Sequence, residues 1–260
     1  MIIYVNGDSH SAGAELVKDY CFAADDPKYT AWQRRPHPDA IPHTYGFKLA
    51  RALNAGFFLD AESASSNDRI LRTTREYADA LTTNIHDRVF IIGWSTWERE
   101  EWLQGDKTYI QVTASGTDSV PPEFGDRYKQ WVINQTPEVV KEKCQQWHDK
   151  IWEFHQHLNK LGIRHIFFNS YSHFDVDEQR DWGDSYVSPY DKSGTYYQWL
   201  ADQGFLTVRY GSHHYGIDAH SAWYKFLLPR LTSGVNTSIM SNTKVVKRTV
   251  KPSSGLMRKK

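Results

Sequence analysis

The chain begins Met1-Ile2-Ile3-Tyr4-Val5-Asn6-Gly7-Asp8-Ser9-His10-Ser11-Ala12-Gly13-Ala14-Glu15. Ile2–Val5 is an apolar, strand-like run, and it breaks at Asn6-Gly7-Asp8-Ser9. Helical character follows near Ser11–Tyr20. A short buried strand that turns through glycine into a helix is the opening unit of an alternating β/α chain. The same turn displays Ser9 at a helix N-terminus, where partial positive charge favours an anion.

Working outward, the alternation continues. Gly56–Asp60 is a second short strand. Arg88–Gly93 (RVFIIG) is a continuous apolar run, as expected of a central parallel strand buried on both faces. Arg164–Asn169 and Phe205–Val208 complete the set of strands. Between them, Thr44–Leu53 places Tyr45, Leu49 and Leu53 on one helical face. Asp68–Leu81 reads as a helix capped by Ser66 or Asn67. Pro137–Leu161 carries Val140, Cys144, Trp147, Ile151, Phe154 and Leu158 at helical spacing and stops at Gly162. Shorter helices are expected over 193–203 and from about Ser221 to Leu228. The pattern predicts one α/β domain over residues 1–231, a three-layer α/β/α sandwich with a mainly parallel sheet. Residues 23–43, with four prolines, read as a long loop, and 94–136 and 171–190 as insertions. Residues 232–260 read as a basic, flexible tail. The last acidic residue is Asp218, and the final twenty residues carry seven Lys/Arg.

The bulk numbers set bounds. With 260 residues and 40% hydrophobic content, the chain can bury one sizeable core. Lys+Arg and Asp+Glu are both 31, so no global field draws the protein to nucleic acid or anionic lipid, and only the basic tail offers such a contact. Cys21 and Cys144 lack ligand spacing and read as free thiols in a reducing, cytoplasmic setting. No signal peptide, membrane span, metal-ligand spacing or cofactor motif is evident. The ten tryptophans serve either core packing or a flat, hydroxyl-rich ligand, and Trp94, Trp97 and Trp102 are open to both uses.

A serine nucleophile needs a base, a group that orients the base, and donors for the developing oxyanion. Ser9 is the candidate nucleophile and donates its own backbone N–H. His220 is the candidate base, with Asp218 two residues earlier as its partner; His213 and His214 are rivals for the base. Asn67, at a helix start, can supply an amide donor. Arg99 can reach a carbonyl or anionic group of a substrate, or pair with Glu98, Glu100 or Glu101.

Gly7-Asp8-Ser9-His10-Ser11 resembles block I of the SGNH/GDSL hydrolases. Residues 63–70 (SASSNDRI), 89–95 (VFIIGWS) and 217–223 (IDAHSAW) resemble blocks II, III and V, in order. The GDSHS opening and GWS-type third block are similar to hydrolase-like proteins encoded by phages. The resemblance implies a flavodoxin-like fold and ester hydrolysis through a Ser9-His220-Asp218 triad and an acyl-enzyme. It places the block II glycine on Ala64 and the block III asparagine on Ser95. The acid usually stands three residues before the base, a position held here by Ile217. The expected activity is removal of a short acyl group, such as acetyl, from a carbohydrate or related ester, without a cofactor. The alternative is a catalytically impaired fold serving as a glycan-binding or virion-associated module.

Overall fold

The computed structural model describes residues 1–17, 35–106, 108–114 and 120–232. The segment around Cys21, much of the proline-rich loop and the basic tail lie outside the described residues.

Four strands form a parallel sheet: β1 (Ile2–Asn6), β2 (Gly56–Leu59), β3 (Arg88–Trp94) and β6 (Arg164–Asn169), in the order β2-β1-β3-β6. Register pairs Ile3 with Phe57 and Val89, and Ile91 with Ile166. Because strand side chains alternate, each strand feeds two cores. Ile3, Val5, Val89, Ile91, Ile166 and Phe168 pack on one face against α2 (Tyr45–Ala52), α6 (Tyr196–Asp202) and α7 (Ile217–Thr232). Tyr4, Phe90, Ile92, Trp94 and Phe167 pack on the other against α3 (Asn67–Asp79) and α5 (Pro137–Leu161). The protein is thus a mixed α/β domain with a parallel sheet between helices. Burial on both faces explains why RVFIIGW reads as an unbroken apolar run.

Three expected elements differ. The helix after β1 is one turn, α1 (Ser9–Ala12), because Gly13 adopts the left-handed conformation that ends it. Phe205–Val208 is not a sheet strand; a single bridge, Thr207 to Tyr215, ties that loop together. The last helix begins at Ile217, four residues before Ser221.

The 94–136 region has its own order. A hairpin of β4 (Glu100–Gly105) and β5 (Thr108–Val112) packs with α4 (Gly125–Ile133) around Trp102, Ile110, Val112, Tyr128 and Trp131. Trp94, Trp97 and Trp102 are all buried, so packing, not an open stacking platform, is their use. Cys144 is a buried free thiol.

In the order 2-1-3-6 the chain leaves β1 toward opposite sides, making a switch point at the carboxyl ends of β1 and β3, where parallel sheets bind ligands. Close packing there demands glycine. A Cβ on Gly7 would lie 2.9 Å from the Gly93 carbonyl oxygen, and one on Gly93 would lie 2.7 Å from the Phe168 ring.

Candidate active site at the carboxyl ends of the strands

Asp8 caps α1, its carboxylate accepting from the His10 backbone N–H, and so sets Ser9 at the first position of the helix. The first N–H groups of a helix have no intrahelical partner and point outward. Ser9 is 7% exposed. Its hydroxyl donates to His214 Nε2 at 2.8 Å. His214 Nδ1 in turn donates to Glu15 Oε2 at 2.6 Å. A carboxylate only accepts, so the ring proton sits on Nδ1 and leaves the Nε2 lone pair for the serine. A hydroxyl, an imidazole and a carboxylate therefore stand in line.

Glu15 is built into its place. It is 6% exposed and sits in the turn beyond α1 with φ 62, a left-handed backbone uncommon for a side chain of its size. Arg209 Nε donates to Oε1 at 2.8 Å, and the Ser212 hydroxyl donates to Oε2. Burial opposes the charge, but the bonds from His214, Ser212 and Arg209 win and hold the carboxyl down at about 2. Burial, with a repulsive contribution from His10, lowers the His214 pKa below the ordinary imidazole value although Glu15 pulls it up. His214 is thus neutral at pH 7, the form a base requires.

The expected base and acid are elsewhere. His220 is 2% exposed on α7 and its Nδ1 accepts the Tyr45 backbone N–H at 3.2 Å. Burial pushes its pKa down to about 3. Asp218 is exposed in the first turn of α7, an ordinary place for an acid beside a helix N-terminus. The early start of α7 is the reason for the correction: both residues are wound into the helix, not held on a loop over the cleft. His214 lies on the loop, while its neighbour His213 is exposed.

The oxyanion candidates also separate. Asn67 is fully buried; its amide donates to the Ser95 carbonyl at 3.2 Å and its oxygen accepts the Ser95 N–H at 2.7 Å. It clamps the end of β3 and is not a free donor. The Ser95 hydroxyl donates to Asp8 Oδ2 at 3.0 Å. Arg99 Nη1 donates to the Ser95 hydroxyl at 2.9 Å and stands 3.5 Å from Asp8 Oδ2. It pairs with Asp8, while Glu101 holds Arg72 and Glu100 holds Lys143. Arg99 also borders a polar hollow of about 290 Å³ with Asp68, Lys143 and Lys150. Ala64 has φ 62, the left-handed conformation that favours glycine.

Asp8 is the hub beneath Ser9. Burial raises its pKa, but the His10 imidazole, its hydrogen bond and Arg99 hold the carboxyl well below the usual range. The Ser170 hydroxyl donates to its Oδ1 at 3.2 Å. His10 lies between Asp8, 3.0 Å from its Nδ1, and the His213 carbonyl oxygen, 3.2 Å from its Nε2, and so ties the loop that carries His214 to the turn that carries Ser9.

Among the described residues, no group of three or more His, Cys, Asp or Glu side chains gathers to hold a metal ion, and no helix is long and apolar enough to cross a membrane. No curated protein matches the chain. Among solved structures, a carbohydrate esterase, described as having an active site with divergent catalytic and non-catalytic binding functions, aligns at 15% identity. The alignment covers 89% of this chain and 68% of that one, with a TM-score of 0.43. A protein-family model described as a family of unknown function, DUF6071, matches residues 25–173, more than half of the sequence. The chain belongs to that family of unknown function.

Proposed function

We propose that the protein is a serine ester hydrolase with Ser9 as nucleophile, His214 as base and Glu15 as the acid that orients the base. The carrying observation is the line from Ser9 Oγ to His214 Nε2 to Glu15, with contacts of 2.8 and 2.6 Å. Nucleophile, base and orienting group within hydrogen-bond reach are the signature of an activated serine.

His214 Nε2 takes the hydroxyl proton as Ser9 Oγ bonds to the ester carbonyl carbon. The Ser9 N–H, at the first position of α1, is the first donor to the tetrahedral oxyanion, and the block II resemblance assigns the second to the Ala64 N–H. Collapse breaks the bond to the alkoxy oxygen, and His214 returns its proton to the departing alcohol. Water then attacks the acyl-enzyme, His214 takes a proton from it, and the acid leaves as Ser9 regains its hydrogen. The block I resemblance at Gly7–Ser11 supports Ser9 as nucleophile; the block V resemblance at 217–223 carries His220 and not His214, so the base and its acid rest on the contacts of His214 with Ser9 and Glu15 alone. Short acyl esters, such as acetyl groups on a carbohydrate, are the proposed substrates.

One observation favours the second reading, a hydrolase-like binding or virion-associated module. Both the Asn67 amide and the Ser95 hydroxyl already have partners, and losing one oxyanion donor costs about 3–4 kcal/mol in other enzymes. Turnover of p-nitrophenyl acetate and labelling by a fluorophosphonate probe decide between them. The unaltered chain is expected to turn over ester and take one label at Ser9, and Ser9→Ala to do neither. Equal turnover by both, or no label on the unaltered chain, defeats the hydrolase reading.

A further inference from the structure

Tyr171 follows β6 directly after Ser170, whose hydroxyl bonds Asp8. His213 immediately precedes the proposed base. Between them stands Tyr197, whose backbone N–H donates to the Ser170 carbonyl at 3.0 Å. The Tyr171 and Tyr197 rings lie 4.6 Å apart, and the His213 ring meets Tyr171 edge-on at 6.0 Å. Tyr171 is 38% exposed and His213 is exposed, so this aromatic wall opens to solvent. The same loop leaves Tyr210 fully exposed. Beyond β3, Trp94 and Trp97 are buried, Arg99 is paired with Asp8, and the hollow that Arg99 borders is lined by charged side chains such as Asp68, Lys143 and Lys150.

In acyl transfer the base that deprotonates the nucleophile next protonates the leaving group, so the departing alcohol must lie beside His214 Nε2. The wall is anchored at this place twice, through Ser170, which bonds Asp8 beneath Ser9, and through the His213 carbonyl, which meets His10, so its exposed rings are the ones set to border the alcohol side of an ester. We infer that Tyr171, Tyr197 and His213 form the leaving-alcohol subsite, and that it takes a sugar ring. Aromatic faces receive the C–H face of such a ring, while phenol and imidazole edges meet its hydroxyls. The inference rests on the Ser9-His214 reading and deepens it.

The test compares kcat/KM for an acetylated methyl glycoside and for ethyl acetate, in the unaltered chain, Tyr171→Ala and Tyr171→Phe. Tyr171→Ala is expected to lower the sugar-to-ethyl ratio by roughly two- to tenfold, the range of one aromatic contact, and Tyr171→Phe to restore most of it. The loss should fall in KM and be the same for acetyl and butyryl esters of the sugar. An unchanged ratio, or a loss that follows acyl length and not the alcohol, overturns the subsite while leaving Ser9 chemistry intact. No turnover of either ester by the unaltered chain overturns both.

Discussion

His214 and His220 lie six residues apart and have opposite surroundings. His214 stands on a loop tied to the Ser9 turn by His10, and its two nitrogens face a hydroxyl and a carboxylate. His220 is wound into α7, stacked on Tyr45, and accepts a backbone N–H that would otherwise be unpaired. Both have lowered pKa values, chiefly through burial. A lowered histidine pKa is therefore no guide by itself; His214 meets a hydroxyl and a carboxylate, whereas His220 meets a backbone N–H.

Substitution of each in turn gives the sharpest contrast. His214→Ala is expected to lower ester hydrolysis by on the order of 10⁵–10⁶, as loss of a serine hydrolase's base does. His220→Gln, which keeps an acceptor, should hydrolyse at close to the unaltered rate. The reverse pattern in a steady-state assay would break the comparison.

The carboxylates extend it. Glu15→Gln should cut hydrolysis by roughly 10⁴, since the amide no longer fixes the imidazole tautomer. Asp218→Asn, exposed on α7, should change neither rate nor stability beyond about 0.5 kcal/mol. The pH profile sharpens the assignment further. With His214 as the proposed base, only its neutral form is active, and because burial lowers its pKa from 6.5, kcat/KM should fall on acidification with a midpoint below pH 6.5. Glu15 raises that pKa, so the residual activity of Glu15→Gln should persist to lower pH still. A midpoint that does not move would dissociate Glu15 from the base.

The smallest effects concern stability. His220→Leu leaves the Tyr45 N–H without its acceptor and should cost about 1–3 kcal/mol in denaturant unfolding. His220 and His165 are pushed by burial down to about 3 and about 4, from 6.5. Between those values and pH 6.5 the unfolded chain binds protons that the native one refuses. Their contribution is therefore complete above pH 6.5 and lost as pH falls toward 4 and then 3. Urea midpoints at pH 7, 5.5 and 4.5 should decline in that order, and less steeply in His220→Gln.

Much of the fold was legible because it rests on periodicity. The double burial of β3 and the apolar stripe of α5 follow from spacing alone. The turn at Ser9 was legible for the same reason, as glycine and aspartate interrupt a strand. The rest turned on where helices begin and end. Reading Ser11–Tyr20 as helix hid Glu15 inside it, although Gly13 is a visible stop. Starting the last helix at Ser221 made Asp218 and His220 look like loop residues. The partner of Asn67 is set by tertiary packing of β3 on α3, which no local pattern encodes.

The hydrogen bond from Ser9 to His214 joins residues 205 apart in the chain. All four strands of the parallel sheet lie between these two residues or hold one of them in place, so the sheet's crossovers must form before the two side chains can meet. Closing so long a loop is entropically demanding and belongs to the later events of folding. A chain ending before residue 214 would carry Ser9 without the imidazole that its hydroxyl meets in the folded protein.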